Sequence, residues 1–305
     1  MNASIIYPNN TYTIDGSEKW GIGLVLVNEK FTDKSYKRKG AQKEIGNLKL
    51  LLDKEFSLEM FNYQDLSFQN IKELLSSLSG KIVSDVYPSI EDRHQIVVIA
   101  ISSHGADDYI LTSDMERITL SEITSYFNPE LCKRDMPKLF IFNACRKYKE
   151  TVAPKEAWAD DECIVPPEWP NFITLCLCQR GTPCYRSIID GSLAIRELCE
   201  SFRSYGREID FVSFLNRFTP QVECSILQIT TEKGDPRHQC PIYKSTSQML
   251  LYFPKQEIVP SDRMIPHVMS VPRTGIGTSE EEEMEREEES NNFLKIGPVP
   301  SNSVS

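Results

Sequence analysis

The sequence has few of the features that mark membrane, secreted or metal-binding proteins. No stretch of its 305 residues approaches the 18 apolar residues that a membrane-spanning helix needs. The first twenty residues are polar, so no secretory signal is visible. Neither a C-x-x-C pair nor a histidine-rich cluster occurs, so we expect neither a metal site nor another cofactor. The nine cysteines are odd in number and scattered, which is typical of reduced thiols in a cytoplasmic protein.

Basic residues are fewer than acidic ones, with 34 Lys and Arg against 44 Asp and Glu. The net charge is −10, which argues against nucleic acid or an anionic membrane as the main partner. Residues 255–305 carry five Lys or Arg and ten Asp or Glu, a net charge of −5, together with many Pro and Ser residues. This composition predicts a disordered acidic tail, and a docking motif for a basic partner is the alternative.

Two apolar runs that end in reactive side chains organise the rest of the chain. The run from Leu139 to Phe142 is long enough for a buried strand, and Cys145 follows it. A similar run ends at Ile101, and Ser103-His104-Gly105 comes directly after it. Because the carboxyl ends of parallel strands face the same crevice, we expect the two side chains to meet there. A cysteine beside a histidine base is the arrangement that nucleophilic thiol chemistry requires.

Alternation of short apolar runs with amphipathic helices predicts the fold. Such βαβ units indicate an α/β, doubly wound, mostly parallel sheet with helices on both faces. The six predicted strands are 21–27, 60–63, 95–101, 139–142, 172–178 and 248–253.

Four short motifs then resemble the caspase family. Asn143-Ala144-Cys145-Arg146-Lys147 resembles the cysteine signature Q-A-C-x-G, with Asn for Gln and Lys for Gly. The S-H-G histidine motif is intact. Residues 38–48 resemble R-x-G-x-x-x-D-x-x-N-L, with Glu44 for Asp, and residues 185–192 resemble W-R-N-S…D-G-S, with Tyr185 for Trp. The order and spacing hold from about residue 12 to residue 254, which identifies a caspase-like six-stranded fold with a short leader, as in effector-type members.

The resemblance implies roles for the residues that match. Cys145 would be the nucleophile, His104 the acid/base, and the backbone N–H groups of Gly105 and Cys145 the donors to the oxyanion. The backbone carbonyl of Tyr36 would orient the imidazole. The substrate-binding residues would be Arg38, Asn143, Tyr185 and Arg186, with the two arginines holding the carboxylate of a substrate aspartate.

The resemblance also implies how the chain is divided and activated. We expect a leader at 1–19, a large-subunit-like region at 20–147, an intersubunit linker at 148–170, a small-subunit-like region at 171–254 and a tail at 255–305. Processing after Asp160 or Asp161 would separate the two subunits, which would pair as a homodimer. The other partners would be proteins with exposed aspartates, and an upstream caspase or an inhibitor protein.

Three functions remain open at this point. An active aspartate-specific protease of apoptosis or related signalling is favoured by the intact Cys145, His104, Gly105, Arg38 and Arg186. A catalytically weak or inactive caspase-like regulator, which binds another caspase, is the alternative that the departures at residues 143 and 147 support. An unrelated doubly wound thiol hydrolase would not need the two arginines.

Overall fold

A computed structural model of the chain describes residue 11 and residues 19–83, 96–106, 108–129, 136–146, 169–227 and 239–253. All of these residues belong to one compact unit that lies within residues 1–256. The parts of the chain outside the described residues include Lys147, the linker except Trp169 and Pro170, the tail, and the leader except Thr11 and Lys19. Both Asp160 and Asp161 belong to the part of the linker that is outside. None of the described helices is long and apolar enough to cross a membrane.

The centre of the fold is a six-stranded sheet, as the sequence predicts. Its strands are β1 (Ile22–Val27), β2 (Glu59–Gln64), β3 (Val97–Ser102), β7 (Lys138–Asn143), β8 (Phe172–Cys176) and β11 (Ile242–Ser245). They lie in the order β11-β8-β7-β3-β1-β2, and every neighbouring pair is parallel except β11 with β8. Strands β1, β3, β7 and β8 are buried along their whole length, because they are covered on both faces.

Helices cover both faces of the sheet. They are α1 (Ala41–Leu50), α2 (Phe68–Val83), α3 (Leu120–Ser125), α4 (Leu193–Ser201) and α5 (Phe211–Leu227), and single π-helical turns extend α1 at Leu51–Glu55 and α4 at Phe202–Gly206. Alternate strand residues point to opposite faces, so the apolar core forms two layers. Ile141 of β7 packs in the layer with α1, α4 and α5, whereas Phe140 packs in the layer with α2 and α3.

One predicted strand was wrong. Within Gln248–Phe253 the only strand-like pairing in the described chain is an isolated bridge between Leu250 and Thr11, and the antiparallel edge strand is β11 instead. The apolar residues of this stretch are used for packing. Leu251 and Phe253 are buried, and the Phe253 ring stacks on Phe56 at 3.8 Å between centroids. Burial of large apolar surface therefore takes precedence over sheet pairing here.

Two small antiparallel sheets shape the edge where β3 and β7 end. The first contains β4 (Gly105–Ala106), β5 (Tyr109–Leu111) and β6 (Arg117–Thr119). The second is a hairpin of β9 (Arg186–Ser187) and β10 (Gly191–Ser192), defined below as the β9–β10 hairpin. A Cβ atom on Gly40 would lie 2.6 Å from the carbonyl oxygen of Ser187, so only glycine lets the start of α1 approach this hairpin so closely.

Candidate active site

The histidine and the cysteine lie at equivalent positions after two neighbouring strands. Ser102 and Asn143 end β3 and β7 and are paired with one another across the parallel ladder. His104 and Cys145 each come two residues after that pair, and the Ser103 N–H donates to the Asn143 carbonyl over 3.1 Å. The expectation that these strand ends meet at one edge of the sheet is therefore met.

Aromatic rings and a backbone carbonyl hold the His104 imidazole. Its Nε2 lies 2.7 Å from the carbonyl oxygen of Tyr36. Because a carbonyl can only accept, Nε2 carries the proton in this contact, and Nδ1 is the nitrogen that can take one up. The rings of Phe31 and Tyr36 lie 5.2 and 5.5 Å from the imidazole between centroids. The ring therefore has the orientation that the family resemblance implies.

The Cys145 thiol is half-buried and lies against the backbone of Cys184. The Cys184 N–H donates to Cys145 Sγ over 3.4 Å. Burial raises the pKa of the Cys145 thiol, whereas the Cys184 N–H and the charges of Arg38 and Arg186 act in the opposite direction. Burial is the largest of these effects, so the thiol form is favoured in the free protein.

A single cavity of about 390 Å³ brings most of the predicted site residues together. Six of them line it: Arg38, His104, Asn143, Cys145, Tyr185 and Arg186. Four positive side chains and one negative side chain contribute to its wall: Lys37, Arg38, Lys39, Arg186 and Glu44. The cavity therefore suits a ligand that carries negative charge.

The predicted carboxylate-binding residues differ in how much of their hydrogen-bonding capacity the chain itself uses. Arg38 is 2% exposed, and its terminal nitrogens donate to Asn28, Ser102 and Glu44. Arg186 belongs to the β9–β10 hairpin and is partly buried. Burial and then the charge of Arg38 lower the pKa of Arg186 from its usual value, whereas the carboxylate of Glu44 raises it.

Asn143 and Tyr185 are held by neighbouring polar side chains. Asn143 is 3% exposed; its Nδ2 donates to Ser102 Oγ over 2.7 Å, and its Oδ1 accepts from Ser192 Oγ over 3.1 Å. The Tyr185 N–H donates to Oε1 of Gln239 over 2.8 Å, and the Gln239 amide in turn donates to the Leu177 carbonyl. The fully buried Gln239 thus positions the backbone next to Arg186.

Gly105 directly follows His104, and its lack of a side chain has a packing reason. A Cβ atom at this position would lie 2.4 Å from the Tyr109 carbonyl oxygen and 3.0 Å from Cβ of Ala144. The family resemblance implies only that the Gly105 N–H donates to the oxyanion. The contacts show that packing of the chain itself requires glycine at this position.

The sequence-based prediction missed Cys184 and Gln239. Cys184 lines the cavity and lies beside two further groups, because Cys184 Sγ and Cys178 Sγ both contact the Ala144 carbonyl oxygen, at 3.3 and 2.9 Å. Burial raises the pKa of Cys184 well above its usual value. Its position directly before Tyr185-Arg186 was the only signal in the sequence. Nothing in the sequence near Gln239 indicated its role.

The region that contains the candidate site is also similar to known proteins. The protein-family model described as "Caspase domain" matches residues 21–252. The chain is 25% identical to Caspase-6 of Gallus gallus over 257 residues, and the aligned region covers 77% of this chain and 81% of that protein. It is 23% identical to Caspase b of Danio rerio over 216 residues, and the aligned region covers 68% of this chain and 51% of that protein. The chain thus spans about half the length of Caspase b.

Proposed function

The chain belongs to the caspase family of cysteine peptidases, and from that premise we propose that it is an endopeptidase that cleaves proteins after aspartate. The observation that carries the proposal is the placement of His104 and Cys145. Each lies two residues after the end of its strand, and the two strand ends are paired with one another in the sheet. Both side chains line the same cavity as Arg186. A thiol, an imidazole and a cation for a carboxylate are the groups that this reaction requires.

In the proposed mechanism the Cys145 sulfur attacks the carbonyl carbon of the scissile peptide bond. Nδ1 of His104 takes the thiol proton, since Nε2 is occupied by the Tyr36 carbonyl, and later gives a proton to the leaving amine. The carbon–nitrogen bond breaks and leaves an acyl-enzyme, which water hydrolyses with the same histidine as base. The N–H groups of Gly105 and Cys145 would stabilise the oxyanion.

The contact between Cys145 and Cys184 bears on the first step. The raised pKa means that little thiolate exists before the substrate binds. Proton transfer to His104 must therefore accompany attack, and the Cys184 N–H stabilises the negative sulfur that develops. A positive cavity also holds the substrate carboxylate, so Arg186 would select aspartate at the cleaved position.

The proposal extends to the biological setting. We infer an effector-type caspase that acts in the cytoplasm, in apoptosis or related proteolytic signalling, as a homodimer of processed subunits. The match to the caspase domain and the similarity to Caspase-6 support the assignment to this kind of protease.

A weak or inactive regulator of another caspase is the second candidate. The observation that favours it is the internal use of both Arg38 and Asn143, two of the four predicted substrate-binding residues. Such a protein would bind a caspase without cleaving the peptides that a caspase cleaves.

Fluorogenic peptides that differ only in the residue before the cleaved bond distinguish the two candidates. The purified protein should release the fluorophore fastest from the peptide that has aspartate before the cleaved bond. Cys145→Ser should abolish release. Cys199→Ser is the matched control, because it replaces a buried thiol that donates to the Asn47 carbonyl by a hydroxyl that can do the same. A wild-type protein that cleaves no peptide, yet co-purifies with an active caspase, would favour the regulator.

A further inference from the structure

A buried polar cluster lies at the ends of β3 and β7, and four of its five residues line the cavity. It contains Arg38, Glu44, Ser102, Asn143 and Ser192, which we call the Glu44 network. Ser102 Oγ is its centre: it donates to Glu44 Oε2 over 2.6 Å and accepts from Arg38 Nη2 over 2.9 Å and from Asn143 Nδ2 over 2.7 Å. A hydroxyl has one proton and two lone pairs, so these contacts use all of its hydrogen-bonding capacity.

Arg38 directs its terminal nitrogens into this network. Nη2 donates to Glu44 Oε2 over 2.8 Å and to Ser102 Oγ. Nη1 donates to the carbonyl oxygens of Asn28 and Ser102, at 2.8 and 3.2 Å. All four N–H groups of the two terminal nitrogens therefore have acceptors that belong to the chain. A substrate carboxylate can bind Arg38 in a two-pronged way only by replacing one of them.

Glu44 is the acceptor that resembles such a carboxylate. Its side chain is fully buried and forms an ion pair with Arg38, whose side chain is 3% exposed. Its second oxygen, Oε1, is buried and accepts no hydrogen bond from the described part of the chain. Arg38 is thus the cation that compensates this carboxylate, and the pair contributes no net charge to the cavity.

Neighbouring backbone keeps Glu44 in this position. A Cβ atom on Gly191 would lie 3.0 Å from Glu44 Cγ, so the β9–β10 hairpin packs directly against the stem of the side chain. Gly191 has φ +74°, a conformation that favours glycine. The hairpin that carries Arg186 and the first turn of α1, which carries Glu44, are therefore packed together. Opposite effects of Arg38 and Glu44 on the pKa of Arg186 agree with this proximity.

From these contacts we infer that Glu44 is a specificity-determining positioning residue. Its carboxylate binds Arg38 and so takes the place that the substrate carboxylate would otherwise occupy. The inference rests on the proposed aspartate-specific activity and states how that activity is limited. Arg186 then provides the main contact with a substrate aspartate, and the protein discriminates less between aspartate and its neutral isostere asparagine than a two-arginine pocket would. The family motif has the shorter Asp where this chain has Glu44.

Two substitutions test the role of Glu44. Glu44→Gln keeps the size and one acceptor for Arg38 but removes the competing charge. Glu44→Asp keeps the charge but withdraws it by one methylene group. Both should release Arg38 toward the cavity, with the larger effect from Gln, and the effect should be a lower KM for the aspartate peptide. Glu55→Gln is the control, since Glu55 pairs with Arg203 and Arg207, away from the cavity.

The measurement is kcat/KM on two fluorogenic peptides that end in Asp or Asn and are otherwise identical. We expect the Asp-to-Asn ratio to rise about tenfold in Glu44→Gln, because a charge-assisted hydrogen bond to the substrate is gained, and to stay unchanged in Glu55→Gln. An unchanged or lower ratio in a folded Glu44→Gln protein would overturn the inference. The Glu44→Asp variant decides in the same way if the Gln variant does not fold.

A binding measurement separates this inference from the proposed function. Calorimetry on the Cys145→Ser protein, with and without Glu44→Gln, would use product peptides that end in Asp or Asn. Tighter binding of the Asp peptide on removal of the Glu44 charge supports the inference even if the wild-type protein cleaves nothing. Cleavage by the wild-type protein with no change in binding would overturn the inference alone.

Discussion

Nε2 of His104 donates its proton to the backbone carbonyl of Tyr36 over 2.7 Å, across 68 residues of sequence. The contact selects one tautomer of the imidazole and directs the other nitrogen to catalysis. Because the acceptor is a main-chain atom, the side chain at position 36 is not part of the interaction.

The first prediction separates the His104 side chain from the Tyr36 side chain. His104→Ala should lower kcat on aspartate peptides by about 10²- to 10⁴-fold, the usual contribution of a general acid or base. Tyr36→Ala keeps the carbonyl and removes only the ring that packs on the imidazole, so a loss below about tenfold is expected. Steady-state kinetics on both variants provide the check. Equal losses would mean that the ring, not the carbonyl, orients His104.

The second prediction concerns the reactivity of the cysteines. Burial raises the pKa of Cys145, so the thiolate population and the rate of iodoacetamide labelling should keep rising as the pH passes the range of an ordinary thiol. Arg186→Ala removes a charge that stabilises the thiolate and should slow labelling at a fixed pH. Peptide mapping by mass spectrometry measures the rates.

Cys199 is the internal reference for that experiment. Burial raises its pKa to about 12, so it should stay unlabelled while the protein is folded. Cys145 is expected to react before Cys176, Cys178 and Cys199, because it lines the cavity whereas these three are buried. Prior labelling of any of these three would contradict an accessible nucleophile at Cys145.

The third prediction concerns Asn143→Gln. From the sequence alone, the longer Gln of the family motif predicts a change of about tenfold or less, in the upward direction. The contacts favour the opposite direction, because Asn143 is buried and both of its polar atoms already bind Ser102 and Ser192. An extra methylene group in such a site costs about 1–3 kcal/mol. We therefore expect a lower melting temperature and a lower kcat/KM, and an increase in both would show that the site relaxes around Gln.

The fourth prediction tests the packing of Gln248–Phe253, the stretch that was wrongly predicted to be a strand. Phe253 is 1% exposed and contacts the rings of Trp20, Phe56, Phe202 and Phe211. Phe253→Ala should lower the free energy of unfolding by about 3–5 kcal/mol, the cost of a large cavity in a packed core. Leu50→Ala, at a side chain that is 50% exposed, should cost below about 1 kcal/mol. Chemical denaturation of both variants gives the comparison.

The fifth prediction concerns maturation. Active protein should contain new chain ends after Asp160 or Asp161, and replacement of both residues by Asn should leave the chain uncut. Intact-mass measurement before and after activation detects the cut. Full activity of the uncut double variant would exclude processing at these residues as the activating step.

The sequence allowed prediction of the parts of the molecule that depend on local patterns. The buried strands that precede His104 and Cys145 are short apolar runs, and the edge where they meet follows from parallel pairing. The edge strand Ile242–Ser245 was not predicted, because its four residues have no apolar run and follow Pro241. Apolar character in Gln248–Phe253 wrongly indicated a strand there.

The polar contacts of the site could not be predicted, for a physical reason. Glu44 meets Ser102 across 58 residues of sequence, and Arg38 meets Ser102 across 64. The hydrogen-bond partners of these groups depend on the register of β3 with β7 and on the packing of the β9–β10 hairpin against them. Residue types alone indicated that Arg38 and Asn143 were available to a substrate, whereas the fold uses both internally.

The order of the strands also has a consequence for synthesis on the ribosome. Strand β7 is buried along its whole length and pairs with β3 on one side and β8 on the other. Between the last residue of β7 and the first of β8 the ribosome must add 29 residues, which takes a few seconds at about 5–20 residues per second. During that interval one edge of an apolar strand has no partner in the nascent chain. A chaperone that binds this edge, or rapid translation of the intervening segment, would protect the unfinished chain from aggregation.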